Sequence, residues 1–233
     1  MNPNIIVAAQ DDDIELITKI LKDCPDSVNY HNYIYNKTAL HYAKSAKAAE
    51  LLIKNGADVN AFGHCGFTPL HYCTDPKVCD VLLKNGANLT IVSRIGTTPL
   101  HNQIKYVLKD NYDKPRANKN ILEIIKKLII HGADINTEME HTPVIQFFNR
   151  YVNFAHHTFY DCKKEIKEII LLMLSINPEI ANYTILETVP LREYLYIDRL
   201  KEIYNITAQD FMDLAYERRK HALLARWRFR RMQ

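Results

Sequence analysis

The 233-residue chain has only six glycines and a single tryptophan, and its five cysteines, at 24, 65, 73, 79 and 162, form an odd set at irregular spacing. Such a set argues against a disulfide framework and suits reduced thiols in a cytosol-like compartment. No run reaches the roughly eighteen uncharged apolar residues that a membrane-spanning helix needs. The densest, Ile166 to Ile176, is too short and begins among lysines. The start, "MNPNIIVAAQDDD", lacks the basic opening and small-residue cleavage site of a secretory leader. A soluble, cytoplasmic protein is expected, acting where it is made or after delivery into a host cell. Reaction-centre motifs are missing too: no G-x-G-x-x-G, no phosphate-binding G-x-x-x-x-G-K-[ST], no G-x-S-x-G and no H-E-x-x-H. His156 and His157 near Asp161 and Cys162 form the one Cys/His cluster, and it sits in an insertion without evident rigid neighbours. The chain is therefore expected not to be an enzyme, with no cofactor and no small-molecule substrate.

What is present first suggests a metal. "HCGFTPLHYCTDPKVC", residues 64 to 79, crowds two histidines and three cysteines together. Zinc sites, however, draw on tight C-x(2–4)-C and H-x(3–5)-H pairs. Here Cys65 to Cys73 is eight, Cys73 to Cys79 six and His64 to His71 seven. The stretch makes better sense as one copy of something that recurs.

"TALHYA" begins at Thr38, "TPLHYC" at Thr68, "TPLHNQ" at Thr98 and a worn "TPVIQF" at Thr142. An apolar run and a glycine follow each of the first three: "AAELLIKNGADVN", "VCDVLLKNGANLT" and "IIKKLIIHGADIN". Over about residues 3 to 180 the chain resembles the ankyrin repeat, a unit of about 33 residues with a T-P-L-H start, built as a turn and two antiparallel helices. The resemblance extends to ankyrin-repeat proteins of intracellular bacteria or large DNA viruses. It implies an all-α solenoid of about five units over residues 1–180: an N-terminal cap and units starting near Asn32, Gly63, Ser93 and Thr137. Residues 181–233 would form a helical C-terminal cap with a basic tail.

Elementary chemistry supports the register. Thr38, Thr68 and Thr98 stand where a helix begins, and Pro69 and Pro99 follow at the first helical position, where a missing N–H costs nothing. Gly56, Gly86 and Gly132 stand where a helix ends in a left-handed residue. The resemblance implies that His41, His71 and His101 bond backbone of the adjoining turn and are structural. In that register His64 and Cys65 lie on a loop, Cys73 replaces a buried alanine and Cys79 opens an apolar face. The five metal-like residues are then not expected to converge on one ion, and no metal site is expected.

Departures from the pattern are informative. The units at Thr38 and Thr68 are about three residues short between their helices, leaving "KSAK" and "TDPK" as turns. Those at Thr98 and Thr142 are long in the same place, with "KDNYDKPRANKN" at 109–120 and "NFAHHTFYDCKKE" at 153–165. These insertions are read as surface loops or lengthened helices, or as an added contact surface. The turn loops, or fingers, are "YHNYIYNK" (30–37), "AFGHCGF" (61–67), "IVSRIGT" (91–97) and the shorter, acidic "NTEMEH" (136–141). In the family these loops and the adjoining first-helix faces hold the partner. Tyr33, Tyr35, Phe62, His64, Phe67, Val92, Arg94 and Ile95 are expected at or near the tips, and aromatic and Arg residues are the usual anchors of protein interfaces. Packing between fingers is the competing role for them.

Net charge is +3, yet the last sixteen residues, "RRKHALLARWRFRRMQ", hold seven Arg or Lys and no acid, leaving the rest of the chain net acidic. Leu223, Leu224 and Trp227 at helical spacing, interleaved with Arg226, Arg228, Arg230 and Arg231, admit three readings. The tail is an apolar stripe covering the last repeat, an amphipathic partner-binding or membrane-surface segment, or a nucleic-acid or nuclear-import patch. "TVPLREYLYIDRLKEI" also bears a loose likeness to the F-box-like segment that recruits a ubiquitin-ligase adaptor. The expected function is a monomeric scaffold that binds a partner protein, a host protein among the candidates, through finger loops and helix faces. An adaptor acting through its C-terminal region, by ligase recruitment or anionic-surface binding, is the alternative.

Overall fold

The computed structural model describes residues 4–109, 119–139 and 142–143, and within the later chain Glu165, Glu168, Ile169, Leu172, Met173 and Ile176. Two compact units divide at Thr158 and Phe159; the expected boundary after residue 180 falls outside the described residues. In the second unit the six described residues are helical, with Ile169, Leu172 and Met173 buried. Among the described residues no helix is long and apolar enough to cross a membrane.

The first unit is the anticipated all-α repeat stack. Helices α1 (Ile5–Gln10) and α2 (Ile14–Asp23) form its first pair. Asn4 and Asp13 accept the orphan N–H groups of Ile6 and Leu16, each at 2.9 Å. The next units pair a 3₁₀ turn, Ala39–Tyr42, with α3 (Ala46–Lys54), and α4 (Pro69–Tyr72) with α5 (Pro76–Lys84). The fourth pairs α6 (Pro99–Lys109) with α7 (Lys119–Ile130). α1, the 3₁₀ turn, α4 and α6 pack in succession as an inner row, and α2, α3, α5 and α7 as an outer row. The motif leucines Leu40, Leu70 and Leu100 and the outer-row Leu52, Leu82 and Leu128 recur in register and are almost wholly buried. Each contributes about 1.5–3 kcal/mol by leaving water. The outer helices end as expected on left-handed glycines, Gly56, Gly86 and Gly132, with φ of 90°, 86° and 96°.

The short inter-helix turns show how three residues are lost. Inner helices stop after one turn, and Ser45 and Asp75 immediately cap α3 and α5. Asp75 accepts from Lys77 at 2.7 Å and Val78 at 3.2 Å, and Pro76 occupies the position that needs no donor. Carbonyls at the end of truncated α4 are taken up by the next unit. Asn102 Nδ2 donates to His71 O at 2.7 Å and Gln103 Nε2 to Cys73 O at 2.9 Å.

Two hydrogen-bond ladders tie unit to unit. In the first, the backbone N–H of Thr38, Thr68 and Thr98 donates to Nδ1 of His41, His71 and His101 at 3.1–3.2 Å. Nδ1 is thus an acceptor, so the proton sits on Nε2, which donates to the carbonyls of Phe67, Thr97 and Thr137 at 3.1, 3.1 and 3.2 Å. The structural role implied for these histidines is the one they play. The Thr hydroxyls bond the same Nδ1 atoms and also serve the orphan N–H groups anticipated from the sequence, as where His101 N donates to Thr98 Oγ1 at 3.4 Å. In the second ladder, Asn29 Nδ2 donates to Gly56 O and its Oδ1 accepts from Asp58 N. Asn60 repeats both bonds one unit on, to Gly86 O at 3.1 Å and from Asn88 N at 2.8 Å. Thr90 stands at the next position and turns its hydroxyl to Asn88 instead.

Burial of the imidazoles favours the neutral form these bonds require, pulling His41 and His71 from 6.5 down to about 4 and His101 down as well. A base whose folded pKa lies below its unfolded one binds its proton preferentially in the unfolded chain. Stability should be complete above pH 6.5, fall as pH drops toward 4 and level off below that. His41 and His71 each account for up to roughly 3 kcal/mol of this loss. Urea unfolding between pH 7.5 and 5 should show the decline, and His71→Gln, although less stable throughout, should show a shallower one. Asn60→Ala should cost about 1–2 kcal/mol through its two lost inter-unit bonds, read as a lower urea midpoint at unchanged slope.

Candidate finger-loop interface

Each finger closes as a narrow hairpin beneath its tip. Asn32 N donates to Lys37 O at 2.9 Å, Gly63 N to Phe67 O at 2.7 Å and Ser93 N to Thr97 O at 2.9 Å. The one-residue-longer first finger is thus accommodated within the same closure. In the fourth, strand β1 (Glu138–Met139) pairs antiparallel with β2 (Thr142–Pro143). Thr142, which opens the worn fourth motif, therefore takes part in the closure of this loop. Gly63 is required for room: a Cβ there would lie 2.9 Å from His41 Nε2 and 3.2 Å from Phe67 O, on the ladder bond itself.

Neighbouring fingers are also joined edge to edge. His64 N donates to Tyr35 O at 2.7 Å, Arg94 N to Cys65 O at 2.8 Å and Asn36 Nδ2 to Phe62 O at 3.1 Å. Asn36 and Cys65 hold left-handed φ of 48° and 56° to make these turns. Asn32 fixes the first finger from within, accepting from Tyr35 N and Lys37 N and donating to the Tyr42 hydroxyl. The loops are thus a bonded surface set before any partner arrives.

On this surface Tyr33 is 102% exposed, Tyr35 52%, Phe62 56% and Ile95 56%, and His64, Arg94 and Val92 are exposed as well. Ile34 and Tyr30, passed over in the sequence, join them. Phe67 differs. It is half-buried, its ring edge-on to His71 at 5.2 Å and to Tyr72 at 5.4 Å. The side chain sits at the foot of its finger, in contact with the inner row. Residues Arg226, Trp227, Arg228, Arg230 and Arg231, both insertions apart from their helical ends at Lys109, Lys119, Asn120 and Glu165, and the His156–Cys162 cluster lie outside the described residues.

Sequence reasoning missed the seat of Lys37. Its ammonium lies 3.5 Å from the centroid of the Tyr72 ring, 5.2 Å from that of Tyr42 and 5.8 Å from that of Tyr35. Partial burial lowers its pKa. Burial, with Tyr106, Cys65 and Tyr42 close by, raises the Tyr72 phenol to about 12, so it remains a neutral hydroxyl. The signal was available: Tyr42 and Tyr72 occupy the same motif position one unit apart, and Lys37 immediately precedes the first threonine.

The metal-like stretch is dispersed. His71 spends both ring nitrogens on Thr68 and Thr97. Cys73 and Cys79 are buried, with the Cys73 thiol pushed up by its bond to Cys79 and by burial. His64 points to solvent. No group of three or more His, Cys, Asp or Glu suited to an ion occurs among the described residues.

The contrast between Phe67 and Tyr33 generates a prediction. Phe67→Ala should destabilise the protein by about 2–4 kcal/mol through lost ring packing and a cavity beside the histidine ladder. Tyr33→Ala should leave stability within about 0.5 kcal/mol. Urea unfolding of the two variants separates these outcomes.

No curated protein matches the chain. Residues 5–93 match the family described as ankyrin repeats, in three copies. That span covers the first pair, the Thr38 and Thr68 units and the first three residues of the finger leading to Thr98. Over residues 5–93 the all-α stack built on the histidine ladder thus consists of ankyrin repeats, modules that are generally protein–protein interaction surfaces and typically non-enzymatic.

Proposed function

We propose that this protein is a non-enzymatic scaffold that recognises another protein through its first three finger loops and the inner-row residues behind them. The observation that carries the reading is the line of exposed apolar side chains, Tyr33, Ile34, Phe62, Val92 and Ile95, on loops already bonded to one another. An exposed apolar patch on a rigid frame is a binding feature. Preformed loops lose little ordering entropy on association, so contact area is converted to affinity with less opposing cost. The reading carries with it a monomeric, cytoplasmic protein, in keeping with the four described cysteines being unpaired.

Tyr33, Phe62 and Ile95 are exposed enough to be truncated without disturbing the fold, which makes them the test set. The triple variant Tyr33→Ala, Phe62→Ala, Ile95→Ala should unfold at the urea midpoint of the unaltered protein. It should also fail to retain proteins that the unaltered chain captures specifically. Capture at undiminished affinity by the folded triple variant would place the interface elsewhere.

A further inference from the structure

Charge is partitioned across the stack in a way the net value hides. From residue 27 to residue 109 the only acids are Glu50, Asp58, Asp75 and Asp80. Glu50 and Asp80 lie on outer-row helices α3 and α5, Asp75 caps α5, and Asp58 lies in the turn after α3. The three fingers and the inner row behind them therefore carry no carboxylate at all. Their cations include Lys37 and Arg94, with His31 and His64 beside them. Neither the Lys37 ammonium nor the Arg94 guanidinium has a carboxylate within ion-pair reach among the described residues. The field ends at the fourth finger, where Glu138 and Glu140 enter the sequence.

Lys37 is the centre of this field. A long, flexible cation normally keeps its head in water; this one is held over three tyrosine rings. Ring faces attract a cation but supply no hydrogen-bond acceptor in the plane of its three N–H groups. The ammonium has lost part of its hydration without gaining a counter-charge, and a carboxylate approaching it would supply both. Tyr42 and Tyr72, half-buried with their rings around the ammonium, carry neutral hydroxyl donors suited to a second carboxylate oxygen.

We propose that the first three fingers and the inner row behind them receive an acidic segment of a partner protein, with Lys37 on its tyrosine seat as the central contact and Arg94 as the outlying one. This rests on the scaffold reading above and specifies the chemistry of its partner. A protein segment fits better than a nucleic acid or an anionic lipid surface because the cations are few and set among apolar residues. Neutralising a run of phosphates, or holding to charged headgroups, takes a dense basic cluster. Two cations between Tyr33, Phe62, Val92 and Ile95 match instead a peptide in which acidic and apolar side chains alternate.

The test pans a displayed library of random twelve-residue peptides on the full-length protein. Retained peptides should show a clear excess of Asp and Glu over Lys and Arg relative to the unselected library. The tightest of them, synthesised, should bind about tenfold more weakly to Lys37→Met and to Arg94→Gln, as truncating one partner of a charge contact does. Lys37→Arg should restore binding, which a merely structural staple on Tyr72 would not require to be charged. Retained peptides of neutral or basic composition, no retained peptide, or equal affinity for Lys37→Met would overturn the proposal. So would tighter binding of phosphatidylserine vesicles or of oligothymidylate than of any acidic peptide. Neutral peptides lost on the Tyr33, Phe62 and Ile95 triple variant would sink the acidic partner and leave the finger interface standing. Acidic peptides indifferent to that variant would count against the finger interface itself.

Discussion

Everything in the stack depends on an imidazole that must stay neutral. Nδ1 of His41, His71 and His101 accepts from the backbone of its own unit, and Nε2 donates to a carbonyl at the foot of the next finger. One ring therefore fixes both the start of an inner helix and the position of the loop that follows. Protonation at Nδ1 would remove the acceptor and place a charge in a buried site. The asparagine ladder repeats the same logic across the first three units, with one amide serving a donor and an acceptor of its neighbour. A repeat that cannot bury its own apolar face is thereby given a unique register against the next.

Much of this was legible. Threonine, proline, leucine and histidine at fixed offsets, and a glycine after each apolar run, place helix starts and stops because each residue type answers a local demand of the backbone. What escaped was whatever depends on where a side chain goes after leaving its helix. Phe67 and Phe62 look alike in sequence, five residues apart on one finger, yet one packs on His71 and the other faces solvent. Asn102 and Gln103 replace the tyrosine and cysteine of the previous unit. Only the truncated end of α4 explains why amides are wanted there. Among the described residues one orphan remains, since Gln103 Oε1 is buried without a partner.

The two rows divide the electrostatic work. Outer helices carry acids and lysines at neighbouring positions, and Asp80, Glu123 and Lys127 meet there at 2.8 and 3.5 Å. Partial burial pulls the Lys127 ammonium down, but the two carboxylates outweigh it and hold its pKa above the usual value. Such exposed pairs add little stability. Their effect is to consume charge locally, whereas Lys37 and Arg94 on the finger side have no carboxylate partner among the described residues.

The histidine ladder also sets how far the chain must travel between units. Its first two steps, His41 to Phe67 and His71 to Thr97, each span 26 residues, and the third, His101 to Thr137, spans 36 because of the insertion between α6 and α7. Closing a flexible loop becomes harder only with the logarithm of its length, so the ten added residues raise the cost of that step by about 0.3 kcal/mol. A single recurring bond thus tolerates large differences in the segment it spans, and a stack held by such bonds can lengthen one unit without loosening the next.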